Sequence, residues 1–332
     1  MNVRRALAAF LSLTVCGLTS VTPPAAAFPV PFGKYVALGD SYSSAPLVPI
    51  VDLLSLGCLR SGGNYPKQLA EALDVDAFTD VTCGGADTTH MTGWQKTPLG
   101  VFPPQFNALT ADTDLVTLGI GGNDFGVFGS VISTCPGLRA SDPTGDPCRK
   151  HFTVNGVDTL KANIDKTQAR ITEVVKGIRA RSPQAKILLI GYPKIAPETG
   201  TCPAILPFAD GDYRYLYAIE EHLNAAVAKA AAAGGATYID TFGPSTGHDA
   251  CAADGVAWIQ GKDLDLFRAA NYHPRYEGQA AVALITYVNL VGGFPIIDAA
   301  QQATWAAEAR HLRTQAASLS RPVPPYHHLL PR

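Results

Sequence analysis

Short apolar runs alternate with longer helical stripes through the middle of the chain. Five runs rich in apolar and β-branched residues fall at 35–39, 77–82, 114–120, 185–191 and 236–241, the second being the weakest. Their length and composition predict buried strands. Between them, apolar residues recur at helix spacing. Tyr65, Leu69 and Leu73 mark a helix over 64–73. Leu160, Ile164, Ile171, Val174, Val175 and Ile178 form a stripe over 157–181, which Ser182-Pro183 ends. An alanine-rich helix over 213–233 stops at Gly234-Gly235. Pro274 opens a last core helix that runs to about Val291, before Gly292-Gly293. Strands alternating with helices predict a parallel sheet covered on both faces.

Five long segments with Pro and Gly interrupt this order, at 43–63, 84–104, 135–154, 193–211 and 242–272. Each follows the C-terminal end of a strand or a short helix beside it, the edge where function collects in such sheets. With no internal repeat and no linker, 28–297 is expected to be one domain. Beyond it, 298–332 reads as an appended helix, with Trp305, Ala309 and Leu312 at helix spacing, and a Pro-rich tail. Arg4 and Arg5, an apolar stretch and Ala25-Ala-Ala27 make 1–27 an export signal cleaved near Ala27. Neither that stretch nor 281–291 reaches the roughly 18 apolar residues that span a bilayer. The expected product is therefore secreted, with no integral membrane segment.

Composition narrows the classes. The 332 residues are 47% hydrophobic, enough for a sizeable core. A formal charge of −2 without a long basic cluster argues against nucleic acid as a partner. Of seven cysteines, Cys16 lies in the signal. The remaining even number in an exported chain implies disulfides, whose pairing these residues alone leave open. With no Cys-x-x-Cys and no His-Glu-x-x-His, no metal is expected. No cofactor is expected either, and the chain is expected to be a monomer.

The chemistry gathers at strand ends. The first strand stops at Gly39-Asp40-Ser41, which leaves a hydroxyl on the ligand-binding edge; a plain turn accounts for the tripeptide equally well by itself. After the second comes Cys83-Gly-Gly-Ala-Asp-Thr-Thr89, and after the third Gly121-Gly-Asn-Asp124. Asn271-Tyr-His-Pro274 follows the fifth and precedes a helix. Each alone fits a turn, a cap or a helix start. All four on one edge fit acyl transfer. A serine hydroxyl needs a base near neutral pH, and His273 is the candidate. The charge that builds on the carbonyl oxygen needs fixed donors, for which Gly85 N–H and the Asn123 amide are suited.

In that order, the four stretches resemble the blocks of the SGNH hydrolases, the GDSL-type esterases and lipases. The resemblance covers about 34–292 and is strongest to the secreted actinomycete branch, through Cys58-Leu-Arg-Ser61 followed by Asn64-Tyr-Pro66. It implies an α/β fold: a three-layer α/β/α, flavodoxin-like sandwich with a five-stranded parallel sheet. It also implies Ser41 as nucleophile, His273 as base, and Ser41 N–H, Gly85 N–H and Asn123 as oxyanion donors. The disulfides it implies are Cys58–Cys83, Cys135–Cys148 and Cys202–Cys251. The chain departs from the family where an Asp usually stands three residues before the histidine: here that residue is Ala270. A backbone carbonyl of Ala270 or Asn271 is one candidate to orient the imidazole; Asp263 and Asp265 are the alternatives. The pattern Gly39-x-Ser41-x-Ser43 lacks the second glycine of the α/β-hydrolase elbow.

Weaker signals remain. The apolar segment 46–56 is expected both to pack on the scaffold and to form an acyl-chain wall or lid. His248 and Asp249 form a possible pair, His90 is a cleft candidate, and Trp94 is the aromatic best placed to stack on a sugar. The expected function is a secreted serine hydrolase of carboxylic, lipid esters. The alternatives are a carbohydrate acetyl esterase and a non-catalytic secreted binding protein on the same scaffold.

Overall fold

A computed structural model of the chain describes residues 32–292 except Ile50. The expected export signal and the 298–332 extension lie outside the described residues. Five strands, β1 (Lys34–Gly39), β2 (Ala77–Asp80), β3 (Leu115–Gly119), β4 (Lys186–Ile190) and β5 (Thr237–Ile239), form one sheet. All neighbours are parallel, in the order β2-β1-β3-β4-β5. The helices are α1 (Ser41–Ser44), α2 (Tyr65–Leu73), α3 (Val127–Leu138), α4 (Pro147–Phe152), α5 (Thr159–Arg181), α6 (Asp212–Gly234) and α7 (Tyr276–Val291).

Alternation along the strands builds the layers. Val36, Leu38, Val116, Leu118, Ile187 and Leu189 point to one face, where Ile164, Ile171 and Ile178 of α5 and Val227 of α6 cover them. Tyr35, Ala37, Leu115, Leu188 and Ile190 point to the other, under Leu69 of α2 and Val282 and Tyr287 of α7. Both faces are buried along the three central strands, which therefore read as continuous apolar runs, whereas the edge strands β2 and β5 are partly exposed, contrary to the expectation of five buried strands. The result is a three-layer α/β/α sandwich.

The strand order sets the crevice. From β1 the chain steps outward to β2, then returns to β3 on the far side of β1. The loops after β1 and β3 therefore diverge, and open α/β sheets bind ligands at such a switch point. Ser41 follows β1 and Asn123 follows β3.

The loop segments hold more structure than their composition indicates. The 135–154 stretch contains the end of α3, all of α4, and the first strand of a ribbon pairing Thr153–Val154 with Val157–Asp158. Helix α3 hides behind Gly129, Pro136 and Gly137, yet buries Val127, Val131 and Cys135 at four-residue spacing. A second ribbon pairs Gln95–Thr97 with Gly100–Phe102 inside 84–104. Disulfides join Cys58 to Cys83, Cys135 to Cys148 and Cys202 to Cys251. The last ties the loop after β4 to the loop after β5. Among the described residues no helix is long and apolar enough to cross a membrane, and no cluster of His, Cys, Asp or Glu is arranged to hold a metal ion.

Candidate active site

Ser41 is the first residue of α1, two residues past the end of β1. The turn into it requires glycine at 39. Its φ is +152°, and a Cβ there would meet Ser43 Oγ at 2.5 Å and the Gly119 carbonyl at 2.7 Å. Gln105 clamps the same residue from both sides. Gly39 N–H donates to Gln105 Oε1 (2.8 Å), and Gln105 Nε2 donates to the Gly39 carbonyl (2.9 Å). Asp40 caps the helix by accepting Tyr42 N–H on Oδ1 (2.9 Å). Its Oδ2 accepts from Tyr192 Oη (2.5 Å), which in turn accepts from Gly122 N–H (3.0 Å). Burial pushes the Asp40 carboxyl up from 3.8 to about 7, against the lowering effect of the Tyr192 and Tyr42 bonds.

The donors around Ser41 are spent unevenly. In α1 the N–H groups of Ser43 and Ser44 bond to Asp40 C=O, while Ser41 N–H finds no acceptor among the described residues. In the glycine turn, Gly84 N–H bonds to Cys58 C=O and Ala86 N–H to Cys83 C=O, whereas Gly85 N–H finds none among the described residues. Gly85 has φ +75°, the left-handed conformation that favours glycine. Asn123 Nδ2 donates one hydrogen to Ala86 C=O (2.9 Å), which anchors the amide to that turn and leaves its second hydrogen. Buried Asp124 bonds Thr88 through both N–H (3.1 Å) and Oγ1 (2.5 Å), fastening the same two blocks together. Burial raises its carboxyl, opposed by those Thr88 bonds.

His273 lies in the loop before α7. Its Nδ1 is 2.7 Å from the Asn271 carbonyl. A carbonyl only accepts, so Nδ1 carries the proton and Nε2 keeps its lone pair. Burial lowers the His273 pKa below 6.5, partly offset by the Asn271 bond. The ring sits 5.3 Å from that of Tyr42 and 6.2 Å from that of Phe128. Tyr42 Oη also donates to Tyr272 C=O (2.7 Å), which ties the residue after Ser41 to the residue before His273. Ser41, Tyr42, Asn123, Phe128 and Tyr192 line one cleft.

Other expected residues fall elsewhere. Asp263 is exposed and paired with Lys262 (2.8 Å), and Asp265 caps Phe267 N–H (2.9 Å); neither bonds to His273. The Ala270 carbonyl accepts His273 N–H (3.2 Å), not the imidazole. In this structure the Asn271 carbonyl, and neither carboxylate, lies against the imidazole. His248 does not pair with Asp249: it stacks on Trp258 at 4.5 Å and bonds Val256 C=O, while Asp249 caps Cys251 N–H. His90 closes a capping box with Asp87. Trp94 is 64% exposed. In the apolar segment, Val48 packs with Ala45 and Ala269, but Leu53 and Leu54 stand 80% and 97% exposed.

Sequence patterns missed Gln105, Tyr192 and Glu220, the last a buried cleft-lining residue. Tyr192 carried one available signal: it follows the C-terminal end of β4, on the same edge as the four blocks. Gln105 and Glu220 carried none, since one lies in an irregular segment and the other inside a helical stripe.

A parallel α/β sandwich carrying a serine, a glycine turn, an amide and an imidazole on one edge defines an SGNH-type ester hydrolase. A model of the GDSL-like Lipase/Acylhydrolase family matches residues 37–281. The chain belongs to that family. It is 44% identical over 263 residues to Lipase 2 of Streptomyces coelicolor, across 78% of this chain and 87% of the relative. It is 34% identical to an esterase of Streptomyces scabiei, across 75% and 81%. Among solved structures, phospholipase A1 from Streptomyces albidoflavus NA297 superposes with a TM-score of 0.64 at 31% identity, covering 78% of this chain and 98% of that one. The extracellular lipase of Streptomyces rimosus gives 0.58 at 28%, covering 77% and 98%. The protein is a carboxylic ester hydrolase.

Proposed function

We propose that the chain cleaves lipid esters outside the cell through a Ser41 acyl-enzyme, with His273 as the base. The observation that carries this reading is the hydrogen bond from His273 Nδ1 to the Asn271 carbonyl, which leaves Nε2 as the basic atom. Ser41 Oγ attacks the ester carbonyl as Nε2 takes its proton. Ser41 N–H, Gly85 N–H and the second Asn123 hydrogen receive the developing oxyanion. Nε2 then returns the proton to the leaving alcohol, and water releases the acyl group by the same steps in reverse. The Asn271 carbonyl holds the tautomer but, being uncharged, stabilises imidazolium less than a carboxylate does.

Lipid substrates are supported by relatives named as lipases and a phospholipase A1, and by the exposed Leu53 and Leu54 in the segment after the nucleophile. Export is supported by the three disulfides, which persist in oxidising compartments. The test is hydrolysis of short- and long-chain nitrophenyl esters by the wild type and Ser41→Ala. Long-chain hydrolysis that falls by at least ~10⁴-fold in Ser41→Ala is expected. Activity surviving the substitution sinks the nucleophile assignment. Cleavage of acetyl esters alone favours the carbohydrate esterase, and no hydrolysis of either favours a binding protein.

A further inference from the structure

The Ser41 cleft contains a carboxyl group that the mechanism above does not use. Glu220 projects from α6, is only 8% exposed, and lines the cleft beside Ser41, Asn123, Tyr192 and Phe128. Its Oε2 accepts Ile195 N–H (3.1 Å). Its Oε1 is buried and has no hydrogen-bond partner among the described residues. The nearest candidate cation does not supply one: Lys194 directs its ammonium to Phe242 C=O (2.7 Å) and Thr246 Oγ1 (2.8 Å). The rest of the lining is largely apolar or aromatic, with Pro193, Ile195 and Leu223. Leaving a buried polar atom unsatisfied is costly, so an unpaired one in a cleft points to a partner that the chain itself does not supply.

We propose that Glu220 determines specificity in this cleft, its Oε1 hydrogen-bonding a hydroxyl on the alcohol part of the ester. The proposal rests on the Ser41–His273 reading, which also fixes which end of the substrate is involved. His273 must reach the leaving oxygen, and its ring rests against Tyr42 and Phe128, which line the same cleft as Glu220. The alcohol and its substituents therefore run along that wall. Burial raises the Glu220 carboxyl well above its ordinary range, opposed by the Ile195 and Ala196 N–H groups, which favours the protonated form with an O–H to give. An uncharged donor suits a hydroxyl and does not suit an ammonium group. A site built to bond a hydroxyl also rejects the analogue that lacks it, because its own polar atom is then left unpaired.

Two esters isolate this contact. 1-Monooctanoylglycerol and propyl octanoate share an acyl chain and a three-carbon alcohol, and differ in the hydroxyls. The wild type is expected to show kcat/KM about tenfold higher for the glycerol ester. Glu220→Gln keeps an acceptor for Ile195 N–H and a donor toward the cleft, and is expected to keep the preference. Glu220→Leu is expected to bring the ratio close to one. The ratio is taken within each variant, so a loss of folded protein cancels, and the wild-type ratio alone decides if Glu220→Leu does not fold. Equal hydrolysis of both esters by the wild type overturns the proposal, as does an unchanged ratio in Glu220→Leu. Preference for octanoylcholine over propyl octanoate, lost in Glu220→Gln, overturns it in favour of a charged carboxylate that binds a cation. No hydrolysis of any ester, or hydrolysis that survives Ser41→Ala, is a failure of the underlying reading instead.

Discussion

Ser41 and His273 are held in opposite ways. The residues around Ser41 are fixed from distant parts of the chain. Gln105 grips both backbone groups of Gly39, and Asp40 N–H bonds to Gly119 C=O at 2.9 Å. Tyr192 holds the Asp40 carboxyl, and Gln279 of α7 donates to the Tyr42 carbonyl at 2.9 Å. His273 takes its orientation from a carbonyl two residues away, in its own loop. That loop is fastened to the scaffold mainly by backbone, through Ala270 N–H on Pro46 C=O and Gln260 N–H on His273 C=O. The difference follows from the chemistry. The proposed nucleophile must sit at a set distance from donors on two other segments, so the sheet and its clamps position it. The proposed base needs the right tautomer and a ring direction, and one local acceptor supplies both.

The sharpest way to break the sheet-held side is at its donors. Asn123→Ala removes the amide that is anchored on the Ala86 carbonyl. The expected loss is ~10²–10³-fold in kcat with a much smaller change in KM, because the contact matters only once the oxyanion forms. Steady-state kinetics on one nitrophenyl ester check this. A change confined to KM would place Asn123 in ground-state binding and remove it from the oxyanion set.

A smaller effect is expected at Asp40, in stability. The carboxyl is raised from 3.8 to about 7, so between those values the folded protein binds a proton that the unfolded chain releases. This group's contribution is therefore complete below about 3.8 and is lost as pH rises through about 7. Asp40→Asn has no such proton. The unfolding midpoint of the wild type relative to Asp40→Asn is expected to fall steadily from pH 4 to pH 7. A gap between the two proteins that is flat over that range would place the Asp40 pKa near its ordinary value.

The two sides also differed in how far the sequence revealed them. The strands were legible because both faces are buried, which turns Leu115–Gly119 and Lys186–Ile190 into continuous apolar runs. Ser41, Gly85, Asn123 and His273 were legible because each stands in a short motif just past a strand or before a helix. Helix α3 was not, since Gly129, Pro136 and Gly137 mask its buried stripe. Tyr192 bonds a partner 152 positions away and Gln105 one 66 away, distances over which no local pattern is informative. The group that holds His273 was legible in part. A backbone carbonyl leaves no side-chain signature, so the missing carboxylate at Ala270 pointed to a carbonyl of Ala270 or Asn271, with Asp263 and Asp265 as rivals, and did not choose among them.

That gap frames the smallest expected effect. Asp263→Asn and Asp265→Asn are each expected to leave kcat/KM within about twofold of wild type. Losing a carboxylate that orients a catalytic histidine costs ~10⁴-fold, so the two outcomes are well separated. The pH profile gives a second check. The base acts only when neutral, and burial lowers the His273 pKa. The acid limb of kcat/KM should therefore fall below pH 6.5. A carboxylate partner would favour imidazolium and move that limb upward. A limb above 6.5 that drops when Asp263 or Asp265 is replaced would restore the carboxylate, and with it a charge-held base in place of one held by its own loop.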